Sequence, residues 1–134
     1  MAEPLGFQVM LDLPFQDAID KVTAALQQEG FGVLTRIDVQ ATLKEKLGMD
    51  FRPYVILGAC NPPLAHRALQ EDTRVGLLLP CNVTVEQGSE GVLVSIANPD
   101  ALLTVGVLAE NGAVCGVAAE ARARLERAAE SLKR

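Results

Sequence analysis

The sequence predicts a single α+β domain, residues 1–134, built on a mixed sheet of about five strands in the order β-α-β-α-β-α-β-β-α-α. Three observations carry this. Strand-like alternation and helix-like apolar stripes take turns along the chain. A Gly- and Ser-rich turn, Gln87 to Gly91, joins two alternating stretches near the C-terminal third and predicts an antiparallel hairpin. The last segment, Ala113 to Arg134, carries one long helical stripe. With 134 residues, 49% apolar and 4% aromatic, the core is aliphatic. A chain of this size buries roughly two-thirds of the surface its unfolded form exposes.

Each element follows from a local signal. Phe7, Val9, Leu11 and Leu13 alternate with Gln8, Met10 and Asp12, which is a half-buried strand. Pro14 ends it and opens a helix. In that helix Phe15, Ala18, Ile19, Val22, Ala25 and Leu26 form the inward stripe, and Gly30 stops it. Phe31 to Asp38 is a second strand. Asp38 caps a short helix, Val39 to Leu47, in which Leu43 and Leu47 are expected to point inward before Gly48 closes it.

Tyr54 to Cys60 is apolar at both parities, as expected of a strand inside the sheet. Asn61 caps the next helix, whose first positions are Pro62 and Pro63. Leu64, Ala65, Ala68 and Leu69 make its stripe, and His66, Arg67 and Gln70 fall off it. The stretch from Gly76 to Glu86 predicts a strand, with an interruption, bulge or edge position at Pro80. Val92 to Ala97 is the return strand of the hairpin. Asn98-Pro99 then starts a helix running to about Glu110, and the long C-terminal helix follows. Strand 54–60, helix 62–72 and strand 76–86 have the lengths of a central βαβ unit, with its two strands parallel.

Charge and composition exclude several classes. The net charge is −5. Residues Arg36 to Arg74 hold six basic against five acidic side chains, and the remainder holds six against twelve. Nucleic-acid binding needs a basic face, and this chain has no such excess. The near-neutral middle leaves room for a small anion, although ordinary solvated surface explains it more simply. No apolar run approaches the roughly 20 residues of a membrane helix. The N-terminus, MAEPLGFQVM, lacks a basic segment followed by an apolar one, so a cytoplasmic location is expected. Three cysteines without framework spacing are expected to be reduced thiols.

Candidate chemistry concentrates between Pro53 and Asn82. Cys60 ends a strand and precedes a helix N-terminus, an environment that lowers a thiol pKa, although Pro62 and Pro63 remove two donors there. In the βαβ reading Cys81 lies at a similar height on the next strand. Cys60, Asn61, His66, Cys81 and Asn82 are therefore the candidate ligand-binding residues, at the sheet end where open α/β sheets bind small molecules. Cys60, His66 and Cys81 are the candidate ligands for a transition metal such as zinc or copper. Their spacing matches no standard zinc motif, and a fourth ligand is needed. Each residue also has a plain reading: Cys60 and Cys81 share parity with core positions, Asn61 is a helix cap, His66 is surface, and Cys115 is a small buried side chain. No paired acid and base motif, Gly-rich phosphate loop or triad is present.

The blocks RPYVILGACNPPLAHRAL and VGLLLPCNVTV, with GFGVLTRIDVQATLKEKLG before them and NPDALL after, resemble the DUF302 family of domains of unknown function across nearly the whole chain. The resemblance implies a compact α+β domain that tends to form homodimers and has no assigned reaction. It also implies that the cysteines of CNP and PCN, Cys60 and Cys81, mark a subgroup.

Three functions are consistent with these readings. The first is a cytosolic homodimeric protein that binds a small ligand or metal around Cys60, Asn61, His66 and Cys81. The second is thiol-based sulfur or redox transfer through Cys60 and Cys81. The third is a structural module that docks a partner without a pocket. The enzyme reading is the weakest, for want of a catalytic motif.

Overall fold

The structure, a computed structural model, describes residues 4–134. Met1 to Glu3, at the start of the N-terminal segment read above, lie outside the described residues. Five strands form one sheet: β1 (Gly6–Leu11), β2 (Gly32–Asp38), β3 (Tyr54–Cys60), β4 (Cys81–Gln87) and β5 (Val92–Ala97). Their spatial order is β1-β5-β4-β3-β2. Five helices accompany them: α1 (Phe15–Gln28), α2 (Val39–Leu47), α3 (Pro62–Glu71), α4 (Pro99–Leu102) and α5 (Gly112–Leu132). Two 3-10 helices, Thr73–Leu78 and Gly106–Glu110, complete the chain.

The α+β class, the five strands and the long C-terminal helix are as the sequence predicts. The parallel central unit is not. All four strand pairings are antiparallel, and β3 lies beside β4 with Ala59 opposite Cys81 and Tyr54 opposite Glu86. The reason is the segment 73–80. Its run of leucines extends the strand pattern, yet it folds as a 3-10 helix packed on α3. A lone α3 would carry the chain along the sheet and hand it to a parallel strand. With a second helical leg the chain goes out and back, and β4 starts from the end where β3 stopped. Pro80 explains the break without an edge: Leu79–Pro80 is a cis peptide bond, and β4 begins immediately after it in the sheet interior.

One face of the sheet is covered. Val9, Leu11, Val55, Leu57, Ala59, Val83, Val85, Val92, Val94 and Ile96 alternate onto that face and are buried. Above them lie the stripes of α1 (Ala18, Ile19, Val22, Ala25, Leu26) and α5 (Val114, Val117, Ala118, Ala121, Leu125, Ala128, Ala129, Leu132). Leu64 and Ala68 of α3 fill one end. Burial of such aliphatic area at roughly 25 cal/mol per Å² is the main force holding the layers together.

The other face is bare. Register places Ile37, Ile56, Thr84, Ser95 and Gln8 in one row across all five strands. Tyr54, Glu86, Leu93 and Met10 form the next row. Met10 and Ile37 remain 51% and 49% exposed. Antiparallel sheets tolerate one such solvated face, so the apolar residues at both parities of β3 did not require two coverings.

The helix ends are fixed by side chains. Asp38 Oδ1 accepts from Ala41 N at 2.9 Å, and Gly48 closes α2 in the left-handed region at φ 64°. Asn111 Oδ1 accepts from Val114 N at 3.0 Å to start α5. α2 differs from its predicted role: none of its residues is buried, and Leu47 is exposed. Nine residues between two caps form a helix on local terms, outside the core. The predicted helix from Pro99 to Glu110 is also interrupted, because Gly106 turns the chain at φ 57° at the start of the second 3-10 helix.

Candidate functional site

The two cysteine motifs of the sequence, CNP and PCN, meet at one end of the sheet. Cys60 is the last residue of β3 and Cys81 the first of β4. Both are free thiols. With Asn61, Phe31, Leu64 and Leu79 they border a small cavity of about 30 Å³ between the sheet end, α3 and α5. That volume is close to one water molecule's share of liquid, and the lining is apolar, which favours a dry packing gap.

The electrostatics of the pair run against the expectation from the helix N-terminus. Burial pushes both thiols up, and Cys81, further raised by the charge Cys60 would carry, reaches about 11. At neutral pH both are neutral thiols and poor nucleophiles. The prolines at the first turn of α3 explain why the helix end does not reverse this: they remove donors that would stabilise a thiolate. Cys115 is separate, its Sγ donating from the start of α5 to Ala109 O of the second 3-10 helix at 3.5 Å.

Asn61 is 7% exposed, and its Oδ1 accepts from Leu64 N at 3.2 Å. It caps α3, as read from the sequence. His66 is exposed on α3 and does not border the cavity. Asn82 follows Cys81 by one residue and so lies on the bare face, opposite to Cys81. The structure therefore brings together Cys60, Asn61 and Cys81, and separates His66 and Asn82 from them. Among the described residues, no three His, Cys, Asp or Glu side chains gather closely enough to hold a metal ion. The two cysteines alone fall short of the four ligands of a structural zinc site.

Asn82 belongs to a larger feature. On the bare face a hollow of about 520 Å³ is lined by Gln8, Tyr54, Asn82, Thr84, Glu86 and Ser95, with Leu5, Ala97 and Leu102 at one rim. Gln8 Nε2 donates to Ser95 Oγ at 3.2 Å across β1 and β5. The Glu86 carboxylate lies 3.8 Å from Arg52 Nε, and the Arg52 guanidinium sits 4.6 Å from the centre of the Phe51 ring. The sequence signal for this hollow was the polar parity of β4 and β5, Asn82, Thr84, Glu86 and Ser95. Gln8 and Tyr54 join them through the strand order.

The DUF302 family model, described as a domain of unknown function, matches residues 7–132. The chain belongs to the DUF302 family. Among solved structures, the chain is similar to an uncharacterized conserved DUF302 protein from Bacillus stearothermophilus at 33% identity. That match covers 94% of this chain and 96% of the other, with a TM-score of 0.83. No curated protein matches the chain. The α+β fold that the resemblance implied is thus the DUF302 fold, and 33% identity over nearly the full length accompanies a shared backbone. Among the described residues, no helix of this DUF302 chain is long and apolar enough to cross a membrane.

Proposed function

We propose that this DUF302 protein is a non-catalytic binding protein whose ligand site is the hollow on the bare sheet face. The observation that carries the proposal is the hollow itself: about 520 Å³, ringed by hydrogen-bonding side chains and rimmed by apolar ones. Small-molecule sites have this size and this mixture. Paired strands beneath the hollow fix the spacing of these groups before a ligand arrives. The cavity at Cys60, Asn61 and Cys81 has room for little more than a water molecule, which makes it the weaker site for a ligand. Three free thiols suit a reducing compartment, and we place the protein in the cytoplasm on that ground.

Titration of the backbone amides with a library of small polar compounds tests the proposal. Shifts confined to residues 6–10, 82–87 and 93–97 are the expected result. Compounds that shift only the Cys60–Leu64 region, or no region at all, would refute it.

A second reading is a homodimer packed through the same face. It is favoured by Met10 and Ile37, large apolar side chains left exposed on the bare face, on its two edge strands. Sedimentation at rising concentration separates the two. A dimer that Met10→Glu with Ile37→Lys dissolves supports the second reading, and a monomer at high concentration excludes it.

A further inference from the structure

The hollow's charge inventory goes one step further and rests on the reading of it as a ligand site. Its lining holds one formal charge, the Glu86 carboxylate, and no lysine, arginine or histidine. The remaining polar groups are neutral: two side-chain amides, two aliphatic hydroxyls and one phenol. We propose that the hollow takes a small organic cation, an ammonium or amidinium head on a short apolar body, with Glu86 as its counter-ion.

Several features converge on that class. Glu86 lies on β4 in the middle of the sheet, between Tyr54 of β3 and Leu93 of β5. Its side chain is 23% exposed, so an ion pair there is less screened than one on open surface. Its contact with Arg52 is 3.8 Å long, beyond the roughly 2.7–2.9 Å of a charge-assisted hydrogen bond. The carboxylate therefore keeps acceptor positions for a donor head group. Arg52 is drawn off toward the Phe51 ring, where its guanidinium lies over the aromatic face. The Tyr54 ring, half-buried beside Glu86, offers a second attraction for a cation. Ser95 Oγ and Gln8 are already joined in a hydrogen bond, and the Gln8 carbonyl oxygen is left as an acceptor. Leu5, Ala97 and Leu102 then meet the apolar body.

The same inventory disfavours small anions, because the lining holds a carboxylate and no cationic side chain. The backbone N–H groups of the interior strands β3, β4 and β5 are engaged in the ladder on both sides. The cation closest in sequence terms, Arg52, faces its own carboxylate and its own ring. The whole-chain charge of −5 adds a weak, long-range preference of the same sign.

Benzamidine hydrochloride is a suitable probe, with neutral benzamide and benzoate as matched shapes of different charge. Calorimetry and amide titration of the full chain are the readouts. Benzamidinium is expected to bind at least tenfold more tightly than benzamide, with shifts at residues 82–87 and 93–97 and weakening as salt rises. Glu86→Gln should lose that tenfold preference. Arg52→Gln, which frees the carboxylate, should tighten benzamidinium about threefold, so the test does not depend on one variant folding. His66→Ala, on the far helix, should bind as wild type does. Benzamide or benzoate binding in the hollow as tightly as benzamidinium would overturn the charge assignment while leaving the ligand site intact. Benzamidinium affinity unchanged in both Glu86→Gln and Arg52→Gln would do the same. No shift at the hollow with any of the three probes would overturn the ligand site as well.

Discussion

Asn61 joins the two candidate roles at the thiol end of the sheet, and replacing it separates them. Its Oδ1 accepts from Leu64 N at 3.2 Å, and the residue is 7% exposed. Asn61→Ala removes the acceptor and leaves an N–H of the first turn of α3 without it. Loss of an N-cap costs about 1 kcal/mol, within a range of about 0.5–2. The burial here moves the figure toward about 1.5 kcal/mol, because a donor shut away from water has no replacement partner. For a domain of this length each kcal/mol shifts the melting temperature by roughly 3–5 °C, so Asn61→Ala should melt about 5 °C lower. Asn61→Asp keeps the acceptor and adds a charge that the helix N-terminus favours, so it should recover most of the loss. Thermal unfolding with urea titration at unchanged slope is the assay. Asn61→Ala melting within 1 °C of wild type would refute the capping argument. Asp falling as far as Ala would show that the Nδ2 group, not the acceptor, carries the stability.

Four further outcomes are expected. With its pKa pushed to about 11 by burial and by Cys60, from an ordinary thiol value of 9.0, Cys81 should alkylate with iodoacetamide at pH 8 roughly 100-fold more slowly than an unfolded peptide thiol. Since the folded-state value is raised, the stability from a neutral Cys81 is complete below the ordinary thiol value of 9.0 and is lost as pH rises toward about 11; urea unfolding from pH 8 to 11 should show a decline that Cys81→Ala reduces. Gly30→Ala should cost about 1–3 kcal/mol by chemical denaturation, because the backbone there is at φ +84° and a Cβ would stand 2.9 Å from Asn61 Nδ2. Leu57→Ala, at 1% exposure on the covered face, should cost about 2–5 kcal/mol in urea, whereas Met10→Ala on the bare face should change stability by no more than about 0.5.

Periodicity made most of the architecture legible. The stripes of α1 and α5 and the alternation of β1, β4 and β5 each report one local geometry, and each is where the sequence placed it. Strand direction was not legible, because it depends on whether residues 73–80 extend a strand or form a return leg. Leu77, Leu78 and Leu79 suit both, and nothing local in an apolar triplet distinguishes a strand from a 3-10 helix. The bare face was hidden by β3, whose Tyr54, Ile56 and Gly58 look like residues awaiting a second cover. Gly58 finds a smaller one: a Cβ there would run into Thr35 Oγ1 of β2 and meet the Pro80 ring at 2.8 Å, so side chains from both neighbouring segments shield it. At the candidate site, the helical wheel placed His66 outward correctly, and parity placed Cys81 with Val83 and Val85. Parity also puts Asn82 on the opposite face from Cys81, a consequence of the period of two that sequence neighbours conceal. Gln8 and Tyr54 entered the hollow through strand order, which follows from the whole chain's topology.

The strand order also sets a sequence of events. β2, β3, β4 and β5 are successive neighbours, so each can zip onto the one before it. β1 closes against β5, enclosing residues 12–91, about four times the length of the 61–80 connection that β3 and β4 enclose. Loop closure on that scale costs about 1.2 kcal/mol more in chain entropy. The meander is thus the natural nucleus, and β1 is the strand that arrives late. Because β1 also supplies Gln8, the hollow is finished by the last strand to join, and a chain still assembling has no complete site to offer a ligand.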